Sequence, residues 1–207
     1  MSAKELPTEL IGKNLIVRCP PPERFDEPIA KLLSDPQAMK YLEAMSKKDV
    51  GGWTLEDAKN RRISHRGLFE KKLGWFCTLE LKEGGDFVGI AGLRDIDWYN
   101  RAGEMGIILS PEYWGKGYSG EAHYIIFKQA FEELALERII FVTASSNTAM
   151  ISFCRNVLQA CHEGTGRNRF ARSWTDPSAG YENTEHFSVL SGEWPALKIR
   201  LEEKYNL

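Results

Sequence analysis

The chain has 207 residues, of which 43% are hydrophobic and 11% aromatic, a composition typical of one folded domain and not of a disordered chain. Its 27 Lys and Arg nearly balance 29 Asp and Glu, so the formal net charge of -2 implies neither a nucleic-acid nor a membrane partner. With no run of 18 apolar residues and no apolar core of a secretory signal, we expect a cytoplasmic protein without a membrane span.

The first half of the chain predicts a strand, two helical segments and an antiparallel meander. An apolar run at 15–17 predicts the strand, and helical spacing over 27–45, broken at Asp35-Pro36, predicts a helix in two pieces. Thr54 is the expected N-cap of a polar helix that ends near residue 73. Strands are then predicted at 75–81, 87–96 and 104–109, with a Gly84-Gly85 turn between the first two.

The second half predicts alternating helices and strands. A helical face over 121–134 is followed by a buried strand at 139–143 and by a helix that Asn147 opens. Two more strands, at 166–173 and 185–190, precede a polar C-terminal segment. In this order the elements predict an α/β domain in which an antiparallel meander leads into a β-α-β crossover.

The cysteines and histidines predict neither a disulfide framework nor a metal site. Cysteine spacing shows no C-x-x-C pattern, and no two histidines are four residues apart. We therefore expect reduced thiols and no metal. The residues concerned are Cys19, Cys77, Cys154 and Cys161, and His65, His123, His162 and His186.

Residues 115–120, GKGYSG, have the G-x-G-x-x-G spelling of a dinucleotide-binding turn. A dinucleotide site needs a strand that runs directly into the first glycine and an acidic residue at the end of the next strand. Here Pro111 lies between the predicted strand and Gly115, and residues 142–146 contain no Asp or Glu. The sequence therefore argues against a dinucleotide site, and the position of Lys116 before a glycine argues against a P-loop.

The same turn keeps the physical means to bind a pyrophosphate. Gly115 and Gly117 can adopt positive φ and bring the backbone close to a ligand. The helix behind them presents unpaired N–H groups and a positive dipole end, and Lys116 adds a cation. The alternative at this point is a glycine-rich strand-to-helix turn with no ligand.

Residues 104–118, EMGIILSPEYWGKGY, followed by Glu121-Ala122, resemble the GNAT acetyltransferase superfamily. Asn147 and the tail at 187–194 add to the resemblance, which looks closest to ribosomal-protein N-terminal and spermidine N-acetyltransferases. It implies an α/β (α+β) fold, with a mixed, mostly antiparallel central sheet flanked by helices in a single domain. The implied acetyltransferase domain covers residues 10–195, and residues 196–207 form a polar C-terminal extension.

The resemblance implies acetyl-CoA as co-substrate. The family pattern is Gln/Arg-x-x-Gly-x-Gly/Ala, and Trp114, Gly117 and Ser119 take its three defined positions here. Backbone groups on the preceding strand would pair with the two pantetheine amides like an added strand. Asn147 could face the same arm or only cap its helix. The implied cofactor-binding residues are Ile107, Ile108, Leu109, Trp114, Gly115, Lys116, Gly117, Tyr118, Ser119 and Asn147.

The implied reaction is direct attack of a primary amine on the thioester in a ternary complex. The amine must be neutral, and the developing oxyanion needs a donor, for which a backbone N–H near Ile108 is available. Glu104 is the candidate base, because strand alternation places it on the same face as Gly106 and Ile108. The alternatives for Glu104 are orienting the substrate and a solvated strand end.

Cys154 lies seven residues after Asn147, where many relatives carry a tyrosine near the CoA sulfur. A thiol, with a pKa of about 8.5, could donate the proton that the leaving thiolate needs. Cys154 could equally be a small buried hydrophobe, Ser152 could replace it, or the thiolate could leave unaided. The usual Gly-Phe after this helix is missing at 157–161, so the helix could be displaced.

Two functions therefore compete. The first is an N-acetyltransferase whose acceptor is a protein N-terminus, a polyamine or a small amine, with the helices over 27–73 shaping the acceptor cleft. The second is a catalytically degenerate acyl-CoA-binding regulatory module, suggested by the missing tyrosine and Gly-Phe. A homodimer is a further expectation, and nucleic acid and membrane are not expected as partners.

Overall fold

The computed structural model describes residues 3–42, 52–172 and 176–207. Within them, eight strands form one sheet in the order β1-β2-β3-β4-β5-β6-β8-β7. Neighbouring strands are antiparallel, apart from β5 and β6, which run parallel. The strands are β1 Glu9–Ile11, β2 Leu15–Arg18, β3 Trp75–Leu81, β4 Phe87–Asp97, β5 Ala102–Leu109, β6 Arg138–Ala144, β7 Cys161–Ala171 and β8 Tyr181–Leu190.

Helices flank this sheet on both sides. They are α1 Asp26–Ser34, α2 Leu55–Glu70, α3 Tyr118–Lys128, α4 Thr148–Ser152 and α5 Trp194–Tyr205. A π-helical segment continues α3 over Gln129–Glu133, and another continues α4 over Phe153–Leu158. The mixed, mostly antiparallel sheet with flanking helices confirms the α/β (α+β) class that the sequence predicts.

Most of the predicted elements are present, with shifted ends, but the second piece of the first helix is not, since its described residues lie in turns over 36–41. The first helix ends at Ser34, because the Asp35-Pro36 pair disfavours helical backbone, and residues 43–45 of that prediction lie outside the described residues. Strand β7 begins at Cys161, five residues before the predicted strand at 166–173. Residue 173, the last of that prediction, lies outside the described residues. The polar segment at 196–207 largely belongs to α5, which buries Leu197 and Leu201.

The sheet separates two apolar clusters. Ile107 packs against the larger cluster, which contains buried residues of α3 and α5, whereas Ile108 belongs to the cluster under α1 and α2. Because successive strand residues point to opposite faces, α1 and α2 cover the face that Ile108 shares with Glu104. The helices that the sequence assigns to an acceptor cleft thus cover the Glu104 face of the sheet.

Helices α1 and α2 are joined by a buried ion pair. Arg62 on α2 donates from Nε to Asp26 Oδ1 at 2.8 Å and from a terminal nitrogen to Oδ2 at 2.9 Å. Thr54 caps α2 as predicted, since its hydroxyl accepts from the Asp57 backbone and its own N–H donates to the Asp57 carboxylate. No helix in the described ranges is long and apolar enough to cross a membrane.

Candidate functional site

Strands β5 and β6 diverge after a short paired stretch. Their register ends at Glu104↔Ile140, although β5 continues to Leu109 and β6 to Ala144. On their other sides, β5 stays paired with β4 and β6 with β8 up to these ends. The two strands therefore enclose a V-shaped space, here called the β5–β6 gap. Both strands are described over their full length, and beyond Glu104 and Ile140 their facing edges have no strand partner.

The predicted pantetheine-binding segment forms one edge of this gap. The side chains of Ile107 and Leu109 pack against the larger cluster and that of Ile108 packs under α1 and α2, so the backbone between them is held from both faces. An extended ligand with amide groups could pair with this edge as an added strand would. At its far end, the Trp114 indole N–H donates to the Leu109 carbonyl at 2.9 Å.

Residues 114–119, here called the glycine loop, lie between the open end of the gap and the first turn of α3. Gly115 has φ +74° and Gly117, the N-cap of α3, has φ +87°, as the sequence led us to expect. The first backbone N–H groups of α3 have no partner within the helix, as in any α-helix. No side chain of the described residues caps them, so they are available to a ligand. The Lys116 ammonium lies 5.2 Å from the centroid of the Tyr113 ring. This loop can hold an anion at the helix N-terminus.

The remaining predicted loop residues are partly committed to local contacts. Trp114, in the Gln/Arg position of the family pattern, is 48% exposed and spans the loop through its bond to Leu109. The Tyr118 ring lies 5.9 Å from that of Tyr113, and the Ser119 carbonyl is 2.7 Å from Nδ1 of the buried His123. These contacts leave the backbone N–H groups of the loop as its ligand-facing donors.

Asn147 caps α4, as predicted. Its Oδ1 accepts from the Met150 backbone at 3.2 Å, and its Nδ2 donates to Thr143 Oγ1 at 3.1 Å. An amide nitrogen has two hydrogens, so one donor of Asn147 remains for a ligand at the β6 side of the gap.

Glu104 lies at the vertex of the gap. Its side chain is 22% exposed, and the Arg94 Nε lies 3.2 Å from its Oε1. Burial raises the pKa of Glu104, and the charge of Arg94 opposes that rise. Glu104 also lines a cavity of about 410 Å³ together with Asp95, Asp97 and Arg138. A carboxyl group with a raised pKa beside a cavity is well suited to accept a proton.

Cys154 lies in the core. Its side chain has no exposed surface and belongs to the larger apolar cluster, on the π-helical segment after α4. Burial raises the pKa of the Cys154 thiol to about 12. At neutral pH the thiol thus stays protonated and is a weak acid toward a departing thiolate.

Two contacts of this region were not predicted. Arg94 pairs with Glu104 because the two residues are directly opposed in the β4–β5 register, which the hairpin between them could have indicated. Tyr205 of α5 packs on the start of α3, where a Cβ at Gly120 would lie 2.1 Å from its ring. Gly120 therefore serves helix packing, and nothing in the sequence pattern pointed to that contact.

The described residues contain no group of three or more His, Cys, Asp or Glu side chains arranged to hold a metal ion. The functional groups near the gap are instead backbone donors, the carboxylates of Glu104, Asp95 and Asp97, and the guanidinium groups of Arg94 and Arg138. Such a set is typical of a site that binds an anionic, amide-bearing ligand.

The sequence profile of the family described as "Acetyltransferase (GNAT) domain" matches residues 14–157. The FsC-acetyl coenzyme A-N(2)-transacetylase of Aspergillus fumigatus is 34% identical over 134 residues, or 57% of this chain and 55% of that protein. The chain thus spans about half the length of that relative. A Bacillus subtilis protein with the name "Putative ribosomal N-acetyltransferase YdaF" is 26% identical over 114 residues, or 55% of this chain and 59% of that protein.

Solved structures share the fold. The spermidine N-acetyltransferase of Vibrio cholerae, in complex with CoA and spermine, superimposes with a TM-score of 0.72 at 16% identity. The match covers 88% of this chain and 98% of that one. At this identity the likeness bears on the fold alone.

Proposed function

Because the chain belongs to the family of GNAT acetyltransferases, we propose that it transfers the acetyl group of acetyl-CoA to a primary amine. The observation that carries this proposal is the β5–β6 gap, which has Glu104 at its vertex and the glycine loop at its open end. Acetyl-CoA has matching parts in the same order: a thioester, an arm with two amides, and a pyrophosphate.

Each part of the co-substrate has a counterpart in the chain. The loop at 114–119 holds the pyrophosphate with its backbone N–H groups and Lys116. The open edge at Ile107, Ile108 and Leu109 pairs with the pantetheine amides, and the free amide hydrogen of Asn147 serves the opposite side. The thioester then lies toward the vertex, within reach of the Glu104 side of the sheet.

Glu104 accepts a proton from the acceptor ammonium, directly or through a water molecule. The neutral amine attacks the thioester carbonyl, so a C–N bond forms and the C–S bond breaks. A backbone N–H near Ile108 donates to the developing oxyanion. As the CoA thiolate departs, the attacking nitrogen, which is positively charged in the tetrahedral intermediate, loses its extra proton to the thiolate or to water, and Glu104 returns its own proton to solvent. The pKa of about 12 for Cys154 favours departure of the thiolate without an enzyme acid.

The acceptor is proposed as a class only: a protein N-terminus, a polyamine or a small amine. The face that Glu104 shares with Ile108 is covered by α1 and α2, which therefore shape the entry of the acceptor. Beside Glu104, the carboxylates of Asp95 and Asp97 outnumber the guanidinium of Arg138 in the same cavity, which favours an acceptor that arrives as a cation. A cytoplasmic location and a homodimer remain predictions from the sequence.

A second candidate is a regulatory module that binds acyl-CoA without turning it over. The observation that favours it is the burial of Cys154 at the position where many relatives carry tyrosine. In this case the gap and the glycine loop would bind the same ligand, and the acceptor side of the sheet would have no catalytic role.

One experiment separates the two candidates. Purified protein is incubated with acetyl-CoA and a panel of α-amino peptides, polyamines and small amines, while released thiol is followed and CoA affinity is measured by calorimetry. Thiol release that depends on an amine supports the acetyltransferase. Tight CoA binding without release on any amine would support the regulatory module, and absence of CoA binding would overturn both.

A further inference from the structure

A second cavity lies between α5 and the π-helical segment after α4. Its volume is about 380 Å³, and its lining residues are Asn156, Val157, Arg200, Glu203 and Lys204. Two of these side chains are cations and one is a carboxylate, so the wall has a net positive charge. The cavity is separate from the one beside Glu104, whose lining residues it does not share.

Arg200 is fixed in this cavity but incompletely satisfied. One terminal nitrogen donates to the Leu158 carbonyl at 3.3 Å. Its Nε is buried and has no hydrogen-bond partner among the described residues. The guanidinium also lines the cavity, where an anionic oxygen can accept from its remaining terminal N–H groups. The planar guanidinium suits phosphate in particular, which it can bind through two parallel hydrogen bonds.

Helix α5 brings this cavity next to the glycine loop. A Cβ at Gly117 would lie 3.3 Å from the Tyr205 ring, so the end of α5 contacts the start of α3. Lys204 immediately precedes Tyr205, and its ammonium lies 5.9 Å from the centroid of that ring. Arg200 lies five residues before Tyr205, a distance of about 7.5 Å along the helix axis. The two cations therefore extend from the loop along one side of α5.

CoA has a third phosphate close to its pyrophosphate. It is attached to the 3′ oxygen of the ribose whose 5′ oxygen bears the pyrophosphate, so both groups lie within one nucleotide. We propose that the cavity between α5 and the π-helical segment binds this 3′-phosphate through Arg200 and Lys204. This inference rests on the proposed use of acetyl-CoA. Both residues lie outside residues 14–157, which match the family profile, so the subsite belongs to the C-terminal helix.

The test compares CoA with 3′-dephospho-CoA by calorimetry. We expect the unmodified protein to bind CoA about tenfold more tightly than 3′-dephospho-CoA, because charge-assisted contacts are lost with the phosphate. Lys204→Ala and Arg200→Gln should each weaken CoA binding by up to about tenfold and leave 3′-dephospho-CoA binding unchanged. Lys198→Ala is the matched control, since Lys198 is also on α5 but pairs with Glu132 at 2.8 Å.

The outcomes are distinguishable. Equal affinity of the unmodified protein for the two ligands, or equal losses for both ligands in the variants, would overturn the subsite and leave acetyl-CoA binding intact. Absence of binding of either ligand would overturn the proposed function as well. Should Arg200→Gln unfold the protein, the exposed Lys204 still provides the comparison, because its substitution removes no buried contact.

Discussion

Opposing influences act on the carboxyl group of Glu104. Burial raises its pKa, Asp95 raises it further, and Arg94 at 3.2 Å lowers it, with burial the largest of these effects. A base works best when its pKa approaches the operating pH, so a pKa raised by burial suits the role of base that we propose for Glu104. Arg94 then limits the rise of this pKa.

Glu104→Gln should lower kcat/KM by about a hundredfold, because the amide cannot accept the proton of the acceptor ammonium. The affinity for acetyl-CoA should stay unchanged, since the proposed contacts of that ligand are made by the loop and the β5 edge. Initial rates and calorimetry measure the two quantities. Glu83→Gln, in the exposed β3–β4 turn, is the control and should keep the rate of the unmodified protein.

Arg94→Gln should move the acid side of the pH profile to higher pH. The base is active when ionised, so kcat/KM falls as pH drops through the pKa of Glu104. Loss of Arg94 removes an influence that lowers this pKa, which therefore rises. Rates measured from pH 5 to 9 test this. If kcat/KM falls at the same acidic pH in both proteins, the group responsible for that fall is not Glu104.

Cys154→Ala should preserve turnover within about a factor of two and reduce stability by about 1–2 kcal/mol, since it removes a buried side chain from the core. The reason is the pKa of about 12, which makes the thiol a poor proton donor at neutral pH. Urea unfolding and steady-state rates measure the two effects. A loss of turnover at undiminished stability would instead support the acid role.

At the scale of elements, the three glycines of GKGYSG serve two purposes. Gly115 and Gly117 adopt positive φ and turn the chain from β5 into α3. Gly120, on α3, leaves room for the Tyr205 ring of α5. The G-x-G-x-x-G spelling therefore combines a phosphate-type turn with a helix-packing contact.

Gly117→Ala should weaken CoA binding by at least about tenfold. At φ +87° the new Cβ costs about 1–2 kcal/mol in backbone strain, and it would meet the Tyr205 ring at 3.3 Å, so the loop must shift. Gly180→Ala is a matched control, because Gly180 has φ +77° and open space around its Cβ position. It should cost similar stability while CoA affinity stays constant. Equal affinities of the two variants would exclude the loop as the pyrophosphate site.

The sequence predicts those elements whose pattern is local. Strand β3 matches its predicted bounds, since alternation and the following glycine turn define it. Strand β1 was not predicted, because its three residues are held only by pairing such as Leu10↔Val17. The sequence predicts only a polar extension where α5 lies, although Leu197 and Leu201 are four residues apart and share a helical face. Both leucines become buried only once α3 is in place.

Some parts of the candidate site can likewise be predicted from local sequence, whereas others depend on contacts between distant elements. The glycine loop and the β5 edge follow from residue types and their order along the chain. The gap itself depends on how far β5 and β6 remain paired, which no local pattern encodes. The contacts of Arg94 and Tyr205 likewise depend on strand register and helix packing, so they could be seen only in the folded chain.

At the scale of the molecule, two neutral imidazoles make stability depend on acid pH. His123 is buried, its Nε2 has no hydrogen-bond partner in the described part of the chain, and burial lowers its pKa to about 4. His65 stacks on Phe76 at 3.9 Å, and its pKa is lowered to about 3, chiefly by burial. Below pH 6.5 the unfolded chain takes up protons that the folded protein refuses, so stability falls with pH.

We expect the free energy of unfolding to fall by up to about 1.4 kcal/mol per pH unit for each of these histidines as pH drops from 6.5 toward 4. His123→Gln should remove the contribution of His123 to this pH dependence of the free energy of unfolding. The contribution of His65 should remain. Urea unfolding between pH 4.5 and 7 measures the slopes. An unchanged slope in the variant would show that His123 is also protonated in the folded protein.

The proposed binding of acetyl-CoA in the β5–β6 gap has a consequence for the stability of the fold. A ligand that completes the sheet binds the folded chain and not the unfolded one, so it stabilises the fold by mass action, by about 2.7 kcal/mol at one hundred times its Kd. The sheet is continuous across β5 and β6 only through three residue pairs, from Ala102↔Arg138 to Glu104↔Ile140. If acetyl-CoA binds in the gap as proposed, adding it to the purified protein should raise the midpoint of urea unfolding.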